Sequence, residues 1–252
     1  MTDLQCLLKS GTAYVRKENV VHLIPDEEAR PAWSRALDRA LTGVDLRMPQ
    51  RYEAQRCVMT GDPLRRKFVD FLAGAHGVKV DLASGPSGYF AAMLDTLTEG
   101  DTLIVTDACP SVIAAHAVAG RDKPMLVFDV DLDKPLPFRD ESIDAFSGNL
   151  LNNVDNYAAL LREAFRCLKP GGRLALIELF FEHGCQTFRH LDAQGAVWSS
   201  FETFVDFCEK QGFRYLDSDV LQTRVGKISE GDLYPLDPGD RSTDRTIYFE
   251  KR

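Results

Sequence analysis

The chain has 252 residues, 44% of them hydrophobic and 27% charged, with a formal net charge of −8. That length holds one large α/β domain with room for an added lobe. The acidic balance repels phosphate backbones and argues against nucleic acid as a partner, and no apolar run approaches the ~20 residues that cross a bilayer.

The start, "MTDLQCLLKS", has no basic region leading into a long apolar run, so a cytoplasmic protein is expected. Two short β-like runs follow, "TAYV" and "VVHLI", with a turn at "RKEN". "DEEARPAWSRALDRAL" reads as a helix that starts near Pro31, with its acids at the positive end. "RYEAQRCVM" and "PLRRKFVDFLAGAHG" read as two more helices, the second closed by Gly77. Residues 1–75 are thus expected to form a small lobe or lid, and residues 76–252 the main domain. In the latter, strands and helices alternate: "VKVDL", "GYFAAMLDTL", "TLIVTDA", "SVIAAHAVA", "PMLVFDV", "IDAFSG", "YAALLREAFRCL" and "RLALIELF". That rhythm predicts a Rossmann-like, doubly wound, mostly parallel sheet. The tail adds the helix "SSFETFVDFCEKQGF", with a capping box expected between Ser199 and Glu202. Antiparallel strands "RYLDSDVL" and "RTIYFEK" follow, around a long loop. Cys6, Cys57, Cys109, Cys167, Cys185 and Cys208 form no C-x-x-C pair, so neither zinc nor a disulfide scaffold is expected.

The turn after the first strand of the main domain, Ala83-Ser84-Gly85-Pro86-Ser87-Gly88, has the outline of a nucleotide loop. Two details argue against a pyrophosphate. Asp81 stands two residues before the turn, where a carboxylate repels phosphate and suits an ammonium group. Pro86 removes one N–H that a phosphate cradle would use. Asp107 closes the next strand, where an acid accepts both ribose hydroxyls.

With "DVDLDKPLPFRDESIDAFSGN" and "LREAFRCLKPGGRLALIEL" downstream, the chain resembles class I S-adenosylmethionine-dependent methyltransferases, especially the group around ubiquinone and menaquinone C-methyltransferases. The resemblance covers Val78 to Leu179. It implies that S-adenosyl-L-methionine is the cofactor and that Asp81, Ala83, Ser84, Gly85 and Ser87 hold its methionine end. It implies that Asp107 takes the ribose, beside Ala108, and Asp131 the adenine amino group, with the Leu132 N–H nearby. Asn149 and Leu150 line the methyl-transfer site. Alanine in the first glycine slot fits if its φ is negative. A faint likeness of the first 25 residues to a zinc-ribbon lead-in keeps only Cys6, so no metal is expected there.

The expected activity is methyl transfer to a small organic acceptor through an oxygen, carbon or nitrogen nucleophile, an in-line displacement in which positioning counts for most. A base is needed only where the acceptor must shed a proton. His183, after the strand "RLALIELF", and His190 are the candidates; His22, His76 and His116 read as structural or solvated. Asn152, Asn153 and Asp155 are polar contacts or helix caps. Phe180, Phe181, Phe188, Trp198, Phe201 and Phe204 divide between core and an apolar acceptor pocket. Trp33 and Tyr52 close the lid, and Tyr52 is placed at the methionine end of the cofactor. Two rival readings are a cofactor-binding protein of this fold without methyl transfer and an NAD(P)-dependent oxidoreductase.

Overall fold

The structure, a computed structural model, describes residues 3–227, 230 and 232–252, without the side chain of Asn153. Part of the expected loop before the last strand, at Ile228, Ser229 and Gly231, lies outside the described residues. Among the described residues nine strands build one sheet. They are β1 (Val15–Lys17), β2 (Val20–His22), β3 (Val78–Leu82), β4 (Thr102–Asp107), β5 (Met125–Asp129), β6 (Ile143–Asn149), β7 (Leu168–Phe181), β8 (Phe213–Val225) and β9 (Arg241–Lys251). Their order is β1-β2-β5-β4-β3-β6-β7-β9-β8. The six central strands, β2 to β7, run parallel; β1 at one edge and β9 with β8 at the other are antiparallel. Every residue of β4 and β5 is buried, as in a sheet with both faces covered. From β3 the chain order runs outward both ways, to β4 and to β6, so the switch point lies at the carboxyl end of β3.

The helices are α1 (Leu4–Leu7), α2 (Ala32–Leu41), α3 (Met48–Gly61), α4 (Pro63–Ala73), α5 (Ala91–Leu94), α6 (Pro110–Ala119), α7 (Tyr157–Cys167), α8 (Gln186–Ala193) and α9 (Phe201–Lys210). No described helix is long and apolar enough to cross a membrane. One core joins Leu4, Leu7 and Val21 to Val80, Phe146, Leu161 and Phe204; the other joins Met48, Tyr52 and Leu72 to Leu103, Val127 and Ala175. Both cores therefore take residues from either side of position 75. The N-terminal segment is not a lobe with a core of its own: β2 pairs with β5 in the main sheet, and Leu8 bridges to Phe138.

Several local expectations need correction. The helix expected at "GYFAAMLDTL" shrinks to α5, because Phe90 to Leu94 are all buried and no face remains for solvent. The helix α4 ends at Ala73 with Gly74 as its cap, while Gly77, at φ 113°, belongs to the turn into β3. Ser200 caps α9 rather than Ser199, its Oγ accepting from Thr203 N at 3.1 Å. Asp155 caps no helix: α7 begins after Asn156, whose N–H donates to the Asp133 carboxylate at 3.0 Å.

Candidate active site

The glycine loop is pinned to β4. Ala83 N donates to Thr106 Oγ1 at 3.0 Å and Ser84 N to Thr106 O at 2.8 Å, while Thr106 Oγ1 donates to Asp81 O at 3.0 Å. Ala83 has φ +49°, against the negative value expected of it. An alanine held there costs about 1–2 kcal/mol, so the neighbouring hydrogen bonds impose the conformation. Gly88, at φ +72°, has no such freedom: a Cβ there would stand 2.8 Å from Tyr52 Cδ1.

Behind the loop runs a relay of two side chains. Tyr52 O–H bonds His116 Nδ1 at 2.7 Å, and His116 Nε2 bonds the Gly85 carbonyl at 2.8 Å. Since a carbonyl only accepts, Nε2 carries the proton and Nδ1 accepts from the phenol. Burial pushes the imidazole down to about 4, so it stays neutral. Tyr52 is thus a prop of the loop, its hydroxyl committed to His116 rather than to a ligand; His116 is a buried structural histidine.

Two carboxylates lie at the switch point. Asp81, at the end of β3, accepts from Ser147 Oγ at 2.6 Å, and burial raises it to about 6 against that hydrogen bond. Asp107, at the end of β4, accepts from Cys109 N at 2.7 Å and Gly85 N at 3.0 Å, and burial likewise raises it to about 6. A cleft of about 320 Å³ opens beside them. It is lined by the expected residues Ala83, Gly85, Asp107, Ala108, Leu132, Asn149 and Leu150. Val130, Asp133 and Val154 complete it below, and Trp33 and Leu37 of α2 cover it. Asp81, Ser84 and Ser87 are not in the lining: Asp81 and Ser84 are buried beneath the turn and Ser87 half-buried on it. Asp131 departs further. It lines a different cavity, with Lys9, Leu23 and Pro137, and its carboxylate accepts from Asp133 N at 3.1 Å.

No local signal announces the clamp beside the cleft. Arg30 holds the fully buried Asp129 with two hydrogen bonds of 2.7 Å and bonds the Ala108 carbonyl at 2.7 Å. His22 Nδ1 meets the same carboxylate at 3.0 Å. Ser34 Oγ donates to Ala108 O at 2.5 Å, and the Asp38 carboxylate accepts from Ser111 N at 2.8 Å. These contacts fasten α2 to the end of β4. Glu178 was also missed, although a glutamate inside the apolar run "RLALIELF" is a visible signal. Fully buried, it accepts from Leu151 N at 3.0 Å and Tyr157 O–H at 2.7 Å, fixing the turn that carries Asn149 and Leu150; burial raises it to about 7.

A second cavity, of about 660 Å³, shares Leu150 and Val154 with the cleft. Tyr157, Phe181, Trp198 and Tyr234 supply its rings. The aromatic crowd divides by strand alternation, with Phe180 packed into the core against Phe204 and Phe181 facing the cavity. The expected catalytic histidines are in neither lining. His183 is exposed and paired with Glu202 at 3.1 Å, and His190 is exposed and bonded to Gln194 at 3.0 Å. Both lie on the surface around α8, because the chain after β7 turns outward.

The family described as "Methyltransferase domain" matches residues 80–176. Over much the same stretch the chain is similar to ubiquinone/menaquinone C-methyltransferases. The ubiquinone/menaquinone biosynthesis C-methyltransferase UbiE of Paracoccus denitrificans is 29% identical over 143 residues, 54% of this chain and 57% of the relative. That of Desulfotalea psychrophila is 33% identical over 135 residues, 51% of this chain and 53% of the relative. The chain thus spans about half the length of these curated relatives. Among solved structures, geranyl diphosphate C-methyltransferase from Streptomyces coelicolor superposes with a TM-score of 0.56 at 14% identity, over 74% of this chain and 78% of that one. A likeness at that identity speaks for the fold.

Proposed function

We propose that the chain transfers a methyl group from S-adenosyl-L-methionine to a small organic acceptor, with residues 1–75 serving as lid and residues 76–252 as the binding domain. The observation that carries this reading is the cleft between β3, β4 and β5, acidic at its floor and joined to a second cavity by a shared wall at Leu150 and Val154. The donor set fits the cofactor. Among the described residues the lining holds no lysine, arginine or histidine, so a pyrophosphate finds no counter-charge, whereas the Asp107 carboxylate accepts from ribose hydroxyls and Asp81, buried beneath the turn, sets its negative charge against the ammonium. Asp107 keeps lone pairs for this beyond those given to Cys109 and Gly85.

When bound, the cofactor supplies a methyl carbon already activated by its sulfonium. The chain's own part is placement. Asp107 and Ala108 hold the ribose side, Val130 and Leu132 give an apolar slot for the base, and Asn149 and Leu150 form the wall toward the acceptor. Trp33 and Leu37 exclude water from above. Orientation of this kind is worth about 7–11 kcal/mol of a barrier. No described histidine, lysine or cysteine lines either cavity, so the chemistry is assigned to alignment rather than to a dedicated base.

Thermal unfolding with candidate ligands tests the reading. A ligand specific for the folded state, at about 100 times its Kd, adds roughly 2.7 kcal/mol. For a domain of this size that raises Tm by about 5–10 °C. The rise is expected with S-adenosylhomocysteine and not with NADH or NADPH, and Asp81→Asn shrinks it. Stabilisation by NADH in place of S-adenosylhomocysteine rejects the methyltransferase reading.

A further inference from the structure

Resting on the methyltransferase reading, we propose that the methyl acceptor is an amine carried on an apolar, ring-sized body, bound in the cavity of Phe181, Trp198 and Tyr234, and that acids and phosphate esters are excluded from it. Three observations converge. The cavity, of about 660 Å³, meets the cofactor cleft at Leu150 and Val154, so an occupant lies next to the place of transfer. Its aromatic wall is one packed unit: the Trp198 and Tyr234 rings stand edge to face at 5.5 Å, and Phe181 lies 6.2 Å from Tyr234 and 6.5 Å from Trp198. Such rings present negative faces that attract cations and flat apolar bodies. The lining offers an anion no counter-charge: Asp155 contributes a carboxylate, and among the described residues it contains no lysine, arginine or histidine. Lys227 sits outside the lining and donates to the Asp232 carbonyl at 2.9 Å.

The reaction places the same demand on the cavity. A neutral amine nitrogen attacks the methyl carbon with its lone pair; the C–N bond forms as the C–S bond breaks, and sulfur keeps the bonding pair. Positive charge therefore leaves the sulfonium side of the shared wall and appears on nitrogen inside the second cavity. The Asp155 carboxylate and the ring faces stabilise that new charge as it develops. An acceptor bearing a carboxylate or phosphate brings like charge toward Asp155 instead and finds no counter-ion in the lining.

The test uses matched probes on the whole chain. Calorimetry first measures S-adenosylhomocysteine binding; its absence rejects the methyltransferase reading itself. With that ligand saturating, tryptamine and indolepropionate are titrated, which share a ring and differ in the sign of their charge. Tryptamine is expected to bind at least tenfold more tightly. Asp155→Asn reduces that ratio at least threefold, and Trp198→Ala weakens tryptamine at least tenfold while the affinity for S-adenosylhomocysteine is kept. Tyr234→Leu replaces Trp198→Ala if the latter does not fold. Equal or tighter binding of indolepropionate, binding of neither probe, or no effect of the ring substitutions overturns the proposal with the cofactor reading intact.

Discussion

Asp81 and Asp107 should set the pH behaviour of the candidate site. Burial lifts both to about 6, above the ~4 of a carboxyl in the unfolded chain. The folded protein then holds their protons longer, so their contribution to stability is full below pH ~4 and lost as the pH rises through 6. Urea unfolding of the ligand-free protein should show that loss between these values. Ligand affinity should run the opposite way, because an ammonium needs Asp81 ionised: calorimetry with S-adenosylhomocysteine at pH 5, 6 and 7 should give rising affinity, and a flat profile removes Asp81 from the site. Asp107→Ala should weaken the same ligand by about 1.5–3 kcal/mol, the range for hydrogen bonds to a charged group, or roughly 10- to 150-fold in Kd. His183→Ala should leave affinity unchanged, since its ring is exposed and its partner Glu202 lies on the surface. The place of Asp81 and Asp107 at their strand ends was legible because an apolar β-run before a turn marks where the strand stops. The facing of Asp131 was not, because it depends on how the chain leaves β5, and Lys9, which helps wall its cavity, comes from distant sequence.

At the scale of elements, the glycine loop and α2 carry the sharpest expectations. Gly88→Ala must adopt φ +72° and meet the Tyr52 ring, so it should displace the turn and lower affinity for S-adenosylhomocysteine. Enlarging the space with Tyr52→Leu should recover part of that loss if the clash is the cause, and a titration of the double variant decides it. Arg30→Ala leaves the fully buried Asp129 carboxylate, among the described residues, with His22 as its remaining side-chain partner. Breaking a buried ion pair of this kind costs about 3–5 kcal/mol, and urea unfolding should register it. Most helices were readable from apolar spacing and punctuation, as α2 after Pro31 and α7 before "KPGG" show. The helix α8 was not, since its cap is Cys185, whose Sγ accepts from Phe188 N at 3.3 Å, a residue type that gives no start signal.

Across the whole molecule the β-α rhythm disclosed the central parallel sheet and the antiparallel strands at its end. The placement of β1 and β2 was hidden, because the pairing of His22 with Asp129 joins residues 107 apart in sequence and nothing local records it. That pairing brings Arg30 and α2 onto the rim, and it has a kinetic consequence. If α2, fastened with the segment before it at Asp129, Ala108 and Ser111, serves as the lid, a ligand enters only in the moments when the helix lifts. Association should then cease to be second order: in stopped-flow mixing with S-adenosylhomocysteine, the observed rate should climb and level off at the rate of opening, however concentrated the ligand. Ser34→Ala, which loosens one fastening and leaves the lining intact, should raise that plateau. A rate that grows linearly to the highest concentration would mean the roof opens faster than ligand arrives.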